Sequence, residues 1–313
     1  MSQALNRAIE RYATAHGTDD GVAATPVAGL VLVRRTRPSE LEHTVVRPLV
    51  CLVVQGRKHV TIGNSETFFD AGATMIVTGS MPTASRIATA TAIKPYLSMA
   101  LHLDPEVITD LITRDVEGAV QTPLQDTSLD LCDALRRLVL LLDRPESLDV
   151  LKTPLIREIH HWLLIGRQGK AIRSLGLPSS HTQRIARAVA ILRAEYARPL
   201  PIERLAASAG MSRSAFHQHF RAVTSLSPLQ FQKHLRLIEA RRVLLSRGGS
   251  VSRVAFEVGY ESDSQFSREY ARMYGRPPAQ DKHEAMRWWE DDNGAAAQPD
   301  RMRRAKRDKP AAD

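Results

Sequence analysis

Along residues 29–103 the apolar and β-branched residues come in short runs separated by turn residues. GLVLVRR, VVRPLVCLVVQG, KHVTIG, ETFF, ATMIVTG, ASRIATAT and YLSMALHL follow one another, with Gly56, Gly63-Asn64, Asp70-Gly72 and Gly79 between them. Seven or so short strands in succession predict a sandwich or a small barrel. Such a sheet can enclose a ligand or be filled by its own side chains. Ahead of it, residues 3–15 predict a short helix. From Pro105 the apolar period becomes helical. PEVITDLITR is one helix, and SLDLCDALRRLVLLLDR is a stronger one with Leu131, Leu135, Leu138 and Leu142 along one face. That face serves either core packing or a dimer interface. Another helix is expected near 153–165, and RQGKAIRSLGLPSSHTQ reads as a connector. Helical spacing resumes from 183, where Ile185, Val189, Leu192 and Tyr196 share a stripe that ARPLP ends.

Beyond Pro201 the chain repeats itself. Leu205-Ala206 and Ala209-Gly210 return as Val254-Ala255 and Val258-Gly259, and Phe216 and Phe220 return as Phe266 and Tyr270. Each copy reads as helix, tight turn, helix. Gly210 and Gly259 suit the left-handed position after a first helix. Ser212 and Ser262 are placed to cap the second helix, and Gln265 stands where it would complete a capping box with Ser262. This is the helix-turn-helix plan, whose second helix enters the DNA major groove. With the aromatics turned inward, the opposite face offers Arg213, Ser214, His217, Gln218 and Arg221 in the first copy. In the second it offers Asp263, Ser264, Ser267 and Arg268, with Gln265 at the margin. Arginine can pair with guanine and glutamine with adenine, and a carboxylate can accept from cytosine.

Charge sharpens this reading. The net charge is +9 over 313 residues, yet residues 1–182 are neutral and residues 183–290 carry +8. The basic excess therefore sits on the repeat, which suits a polyanionic partner for that part alone.

The repeat resembles the DNA-binding domain of the AraC/XylS family of bacterial transcription regulators. RLIEARRVLL (236–245) is similar to that family's linker helix, and VAFEVGYESDSQFSREYARMYGRPP (254–278) is similar to its second helix-turn-helix motif. The resemblance implies two helix-turn-helix units docking in successive major grooves. Carried over by position, it makes Ser214, His217 and Gln218 base-reading candidates in the first unit. Asp263, Ser264, Gln265 and Arg268 are those of the second. Arg213, Arg221, Arg253 and Arg272 are the phosphate candidates. The chain departs from the pattern at Tyr260 and Tyr270, each in place of Phe. Ala271 stands where Lys is common, Ser225 where Gly is usual, and Pro277 where Ser is usual. PLVCLVVQGRK (48–58) and ATAIKPYLSMALHLD (90–104) resemble the N-terminal domain of one subfamily. The fold expected from this is α+β: a cupin-like β-barrel with trailing helices, then an all-α domain with two helix-turn-helix units.

The expected organisation is an N-terminal segment 1–24, a sensing or dimerisation domain 25–180, a DNA-binding domain 183–285 and a disordered tail 290–313. The function expected is a sequence-specific transcription regulator controlled by a small-molecule effector. The alternatives are a constitutive DNA binder whose sheet only dimerises, and a cupin enzyme with an appended DNA-binding module. A catalytic cupin needs clustered His and carboxylate ligands. His43, His59 and His102 are isolated in sequence, and His160 and His161 point about 100° apart on a helix. No enzyme, metal or cofactor is expected. The partners expected are double-stranded DNA, the effector, a second copy of the chain and RNA polymerase, and no membrane. MSQALNRAIERYATAHG lacks the apolar core of a signal peptide, and no run of about 18 apolar residues occurs, so a cytoplasmic protein is expected. Cys51, within LVCLVV, is either an inert buried thiol or a sensing thiol; Cys132 belongs to core or interface. RMRRAKRDK (301–309) is a solubilising run or a nonspecific phosphate contact.

Overall fold

A computed structural model of the chain describes residues 3–63, 65–115, 128–247 and 250–284. The expected tail, including RMRRAKRDK, lies outside the described residues. The chain forms two compact units: residues 1–192 with 201–231, and residues 193–200 with those from 232 onward.

In the first unit a helix, α1 (Gln3–His16), precedes nine strands among the described residues: β1 (Val22–Ala24), β2 (Leu30–Arg35), β3 (Glu42–Val46), β4 (Leu49–Gln55), β5 (Arg57–Ile62), β6 (Ser65–Asp70), β7 (Thr74–Val77), β8 (Met81–Thr89) and β9 (Tyr96–His102). They pair antiparallel in two sheets, β1-β2-β9-β4-β7 and β3-β8-β5-β6. The expected barrel is thus two separate sheets rather than a closed one. Pro48, which has no N–H to donate, separates β3 from β4, and the two strands go to different sheets.

Strand β4 shows why its sequence is apolar without alternation. Val50, Leu52 and Val54 join the cluster that includes α1 and the later helices, while Leu49 and Cys51 pack toward Val60, Ile62 and Phe69 of the other sheet. A strand buried on both faces reads as a continuous hydrophobic run. Helix α2 (Pro105–Asp115), α3 (Ser128–Leu140), α4 (Pro145–Ile165) and α5 (Gly169–Gly176) supply the third layer. Leu131, Leu135 and Leu138 are buried in that core, with Leu142 packed partly against it. The leucine stripe of α3 is therefore core. The stretch expected as a connector instead holds α5, because Ile172 and Leu175 bury one face of it.

His160 on α4 is fully buried. Its Nε2 accepts from the Asp104 amide at 2.9 Å, and its Nδ1 donates to the Ile156 carbonyl at 2.7 Å. Both bonds use the neutral ring, and burial pulls its pKa below the ordinary value.

The repeat follows α6 (His181–Ala194) as α7 (Ile202–Ser208), α8 (Arg213–Thr224), the long α9 (Pro228–Arg247), α10 (Val251–Glu257) and α11 (Asp263–Tyr274). The core of the second unit gathers Leu237, Ala240 and Leu244 of α9 against Val254, Ala255, Val258, Tyr260, Phe266 and Tyr270. Gly259 closes the turn between α10 and α11 at φ +92°, and a Cβ there would lie 2.0 Å from the Ala197 carbonyl oxygen. No side chain fits without moving backbone. Gly259→Ala is expected to destabilise this unit by more than the roughly 1–3 kcal/mol of left-handed strain alone. A urea titration of the full chain followed by far-UV circular dichroism will show it as a lowered midpoint, and an unchanged midpoint would contradict the packing described.

Candidate nucleic-acid interface

Both helix-turn-helix turns close the same way. After α7, Gly210 takes φ +59° and the Met211 amide donates to the Ala206 carbonyl at 3.0 Å. After α10, the Tyr260 amide donates to Ala255 at 2.9 Å. This back-bonding satisfies carbonyls that a helix end leaves free. The second helices then start behind their serines. Ser212 Oγ accepts from the Ala215 amide at 3.3 Å, and Ser262 Oγ accepts from the Gln265 amide at 3.4 Å.

Both second helices also end in the left-handed region, at Gly275 with φ +74° and at Ser225 with φ +65°. Ser225 is the one non-glycine residue at positive φ among the described residues, at the position where the sequence departs from the family's glycine.

Aromatics fix the inward faces of α8 and α11. Phe216 packs on Phe220 at 5.4 Å between ring centroids, and Phe220 meets Phe231 edge-on at 5.6 Å. In the second unit Phe266 packs on Tyr270 at 5.5 Å, and Tyr270 lies 4.6 Å from Tyr274. With those faces buried, Ser214, His217 and Gln218 are exposed on α8, and Ser264 and Arg268 are exposed on α11. Arg221, Arg253 and Arg272 are exposed as well. Arg213 is exposed and reaches Glu203 at 3.1 Å, a pairing that a phosphate would compete with. His219 turns the other way and stacks on His181 of α6 at 3.6 Å, where partial burial, His181 and Arg184 lower its pKa.

Two candidates sit differently from the expectation. Asp263 is half-buried, and its Oδ1 is buried without a hydrogen-bond partner, whereas the sequence placed it on the open Ser264–Arg268 face. Gln265 does not complete a capping box. Its Nε2 donates to Glu269 Oε1 at 3.2 Å, one helical turn on, which aims the amide along the helix rather than back at the cap. Ser267, also expected on that face, is half-buried.

Sequence reasoning missed the residues that hold these helices in place. Arg236 of α9 donates to the carbonyls of Tyr196 at 2.8 Å and Gly259 at 2.7 Å, and to those of Ala197 and Arg198 at 3.4 Å. Arg184 of α6 does the same for the first turn, donating to Ala209 O at 2.6 Å and to Gly210 O. Glu269 accepts from Lys233 Nζ at 2.6 Å and from Tyr260 OH at 2.8 Å. Asp281 accepts from Arg241 Nε at 2.8 Å and from Tyr270 OH at 2.7 Å. The two tyrosines that replace phenylalanine thus each bring a hydroxyl to a carboxylate, which was the available sequence signal.

Cys51 is 4% exposed, and burial pushes its thiol pKa up despite Lys58 and Ser98 nearby. Cys132 is half-buried, packed against the core with its Sγ 3.8 Å from Thr74 Oγ1. The first unit also contains a cavity of about 250 Å³. Arg47, His102 and Gln183 are among its polar lining and Leu103, Ile185 and Val223 among its apolar lining. Val223 belongs to α8, so the cavity wall includes the second helix of the first helix-turn-helix. Among the described residues no three His, Cys, Asp or Glu side chains converge as metal ligands would, and no helix is long and apolar enough to cross a membrane.

Comparison with known proteins finds two matching segments. A family model described as AraC-type transcriptional regulator N-terminus matches residues 26–171, and one described as a helix-turn-helix domain matches residues 205–283. The virulence regulon transcriptional activator VirF of Yersinia enterocolitica is 26% identical over 190 residues, covering 59% of this chain and 68% of that protein. The MmsAB operon regulatory protein of Pseudomonas aeruginosa is 36% identical over 80 residues, 26% of each chain. The crystal structure of ToxT from Vibrio cholerae O395, bound to (E)-4-(8-methylnaphthalen-1-yl)but-3-enoic acid, aligns with a TM-score of 0.51. That alignment covers 82% of this chain and 98% of ToxT at 8% identity, a likeness of fold.

The Asp281 pairing makes a test of how α11 is held. Asp281 is 3% exposed, and burial alone would raise its pKa. The bonds from Arg241 and Tyr270 and the charge of Arg276 outweigh burial and hold it below the ordinary carboxylate range. A group depressed in the folded state stabilises above its unfolded pKa, about 4, and that stability is lost as pH falls through the folded value. Asp281→Ala, which removes the carboxylate that Arg241 and Tyr270 both bond, is expected to cost about 3–5 kcal/mol at pH 7. Urea melts at several pH values should show this gap narrowing below pH ~4. A gap that stays constant down to pH ~3 would contradict the assignment.

Proposed function

The chain belongs to the AraC/XylS family of transcription regulators, and on that premise we propose that α8 and α11 read base edges in the DNA major groove under the control of a small molecule. The family is one of sequence-specific DNA-binding regulators rather than enzymes. The observation that carries the reading is the duplicated geometry. Two serine-capped helices, each anchored by a pair of aromatics one turn apart, present Ser214 with Gln218 and Ser264 with Arg268 at the same stations.

Ser214, His217 and Gln218 are the readers of the first unit, and Ser264, Gln265 and Arg268 those of the second. Asp263, half-buried with one oxygen enclosed, is a weaker candidate than its sequence position implied. Arg213, Arg221, Arg253 and Arg272 bind phosphate and supply the salt-dependent part of affinity. Residues 25–180 form the sensing and dimerisation domain and residues 183–285 the DNA-binding domain. A homodimer, RNA polymerase as a contact on DNA and a cytoplasmic location complete the reading.

Effector control is supported by the cavity of about 250 Å³. Its basic groups and apolar walls suit a small molecule with an anionic end, and its contact with α8 gives a route from occupancy to DNA binding. ToxT, of the same fold, is bound to a carboxylic acid in its crystal structure. Cys51 is the second candidate sensor. Because burial keeps its thiol neutral, a reactive role requires the sheets to open, whereas the cavity requires no such change.

The test is selection of binding sites from randomised DNA, followed by anisotropy titrations on the selected site. Arg268→Ala is expected to relax preference at a single base pair, weakening binding there by about 1–3 kcal/mol. Equal weakening on every sequence would instead make Arg268 a phosphate contact. Affinity unchanged when cavity residues such as His102 and Gln183 are substituted, with and without cell extract, would favour a constitutive binder.

A further inference from the structure

Gln265 is the third residue of α11, in the part of a recognition helix that meets base edges. It is half-buried between the exposed Ser264 and Arg268. Its amide is not free to choose an orientation. The atom 3.2 Å from Glu269 Oε1 must be the amide nitrogen, because a carboxylate can only accept. Glu269 is kept ionised by its surroundings. Burial would raise its pKa, but the bonds from Lys233, Tyr260 and Gln265 outweigh it and lower the value. The Lys233 ammonium at 2.6 Å and the Tyr260 hydroxyl at 2.8 Å come from α9 and from the turn, so the carboxylate is fixed from three directions.

The hydrogen inventory then decides what Gln265 can read. An amide has two N–H donors and one carbonyl oxygen. Glu269 takes one donor. One N–H and the carbonyl remain, a donor beside an acceptor. In the major groove adenine presents an N6 donor beside an N7 acceptor, which matches both. Guanine presents two acceptors, O6 and N7, and would need both amide hydrogens or leave the carbonyl facing an acceptor. Cytosine N4 leaves the N–H unused, and thymine O4 leaves the carbonyl unused.

We propose that Glu269 is a positioning residue that fixes Gln265 as an adenine reader and excludes guanine at one position of the site bound by α11. The proposal rests on the reading that α11 enters the major groove.

The experiment is site selection from randomised duplex DNA with the full-length protein, its Glu269→Gln variant and its Gln265→Ala variant. The wild-type protein should select adenine over guanine at one position by about tenfold or more, the scale of a good bidentate pair. Gln265→Ala should remove that preference and leave the rest of the site unchanged. In Glu269→Gln a neutral amide faces Gln265 and can donate or accept, so the reader can turn over. Adenine and guanine should then be selected within about threefold of each other at that position alone. An unchanged profile in Glu269→Gln, or a loss of selectivity spread evenly over all positions, would overturn the proposal by making the network merely structural. If Glu269→Gln does not fold, Gln265→Ala still decides, since it leaves the Lys233 and Tyr260 bonds in place; adenine preference surviving in it sinks the idea. A wild-type protein that enriches no sequence at all would instead defeat the DNA-reading premise, a result distinguishable from the others.

Discussion

The second unit depends on one guanidinium meeting four backbone carbonyls. Arg236 lies along α9, gathers the carbonyls of Tyr196, Ala197, Arg198 and Gly259, and sits 5.9 Å from the centre of the Tyr260 ring. A planar, permanently charged fork with five donors suits this; a lysine would offer a point charge and three. The carbonyl of Gly259 belongs to the turn that aims α11. Its neighbour Tyr260 passes the constraint on through Glu269 to Lys233 and Gln265. Asp281 adds a second tie, from Arg241 on α9 through Tyr270 of α11. Helix α11 is therefore positioned by partly buried polar contacts to a neighbouring helix as well as by aromatic packing.

Polar networks of this kind cost free energy when half-satisfied and rigidify when complete. Here Glu269 holds three donors and Asp281 holds bonds from Arg241 and Tyr270. One buried oxygen without a hydrogen-bond partner, Asp263 Oδ1, stands in the first turn of α11. The helix dipole favours a negative charge there, which offsets part of its cost. The first unit solves the same problem with fewer groups. Arg184 clamps the Gly210 turn, and beyond that α8 is fixed by Phe216, Phe220 and Phe231. Helices α8 and α11 share a plan and differ in how much polar scaffolding stands behind them.

Most of the architecture was legible in the sequence where a rule is local. Turn glycines, serine caps and aromatics four apart depend on neighbours a few residues away, so Gly210, Gly259, Ser212, Ser262, Phe216, Phe220, Phe266 and Tyr270 were found. The β-branched runs marked the strands except the three-residue β1 and β3, whose last two residues were merged with β4 in one run. What stayed hidden depends on partners far along the chain. Glu269 finds Lys233 36 residues away in sequence, and Gln265 gives an amide N–H to the carboxylate so fixed instead of closing a capping box. Helix α5 was missed because its glycines, Gly169 and Gly176, lie at its two ends and resemble a linker. The barrel became two sheets because closure is set by pairing, which strand spacing alone does not encode.

The clamp on Arg236 also bears on how this protein can be divided. Three of its four acceptors come from residues 196–198, and this stretch belongs to the second unit although the chain between it and residue 232 belongs to the first. A fragment begun at residue 232 would keep the guanidinium and lose those carbonyls, exchanging them for water beside a half-buried charge. The second reader is thus not an excisable module in sequence. Its smallest self-consistent version spans the first reader as well, so recombination or truncation between the two would separate a cation from the backbone it was folded to hold.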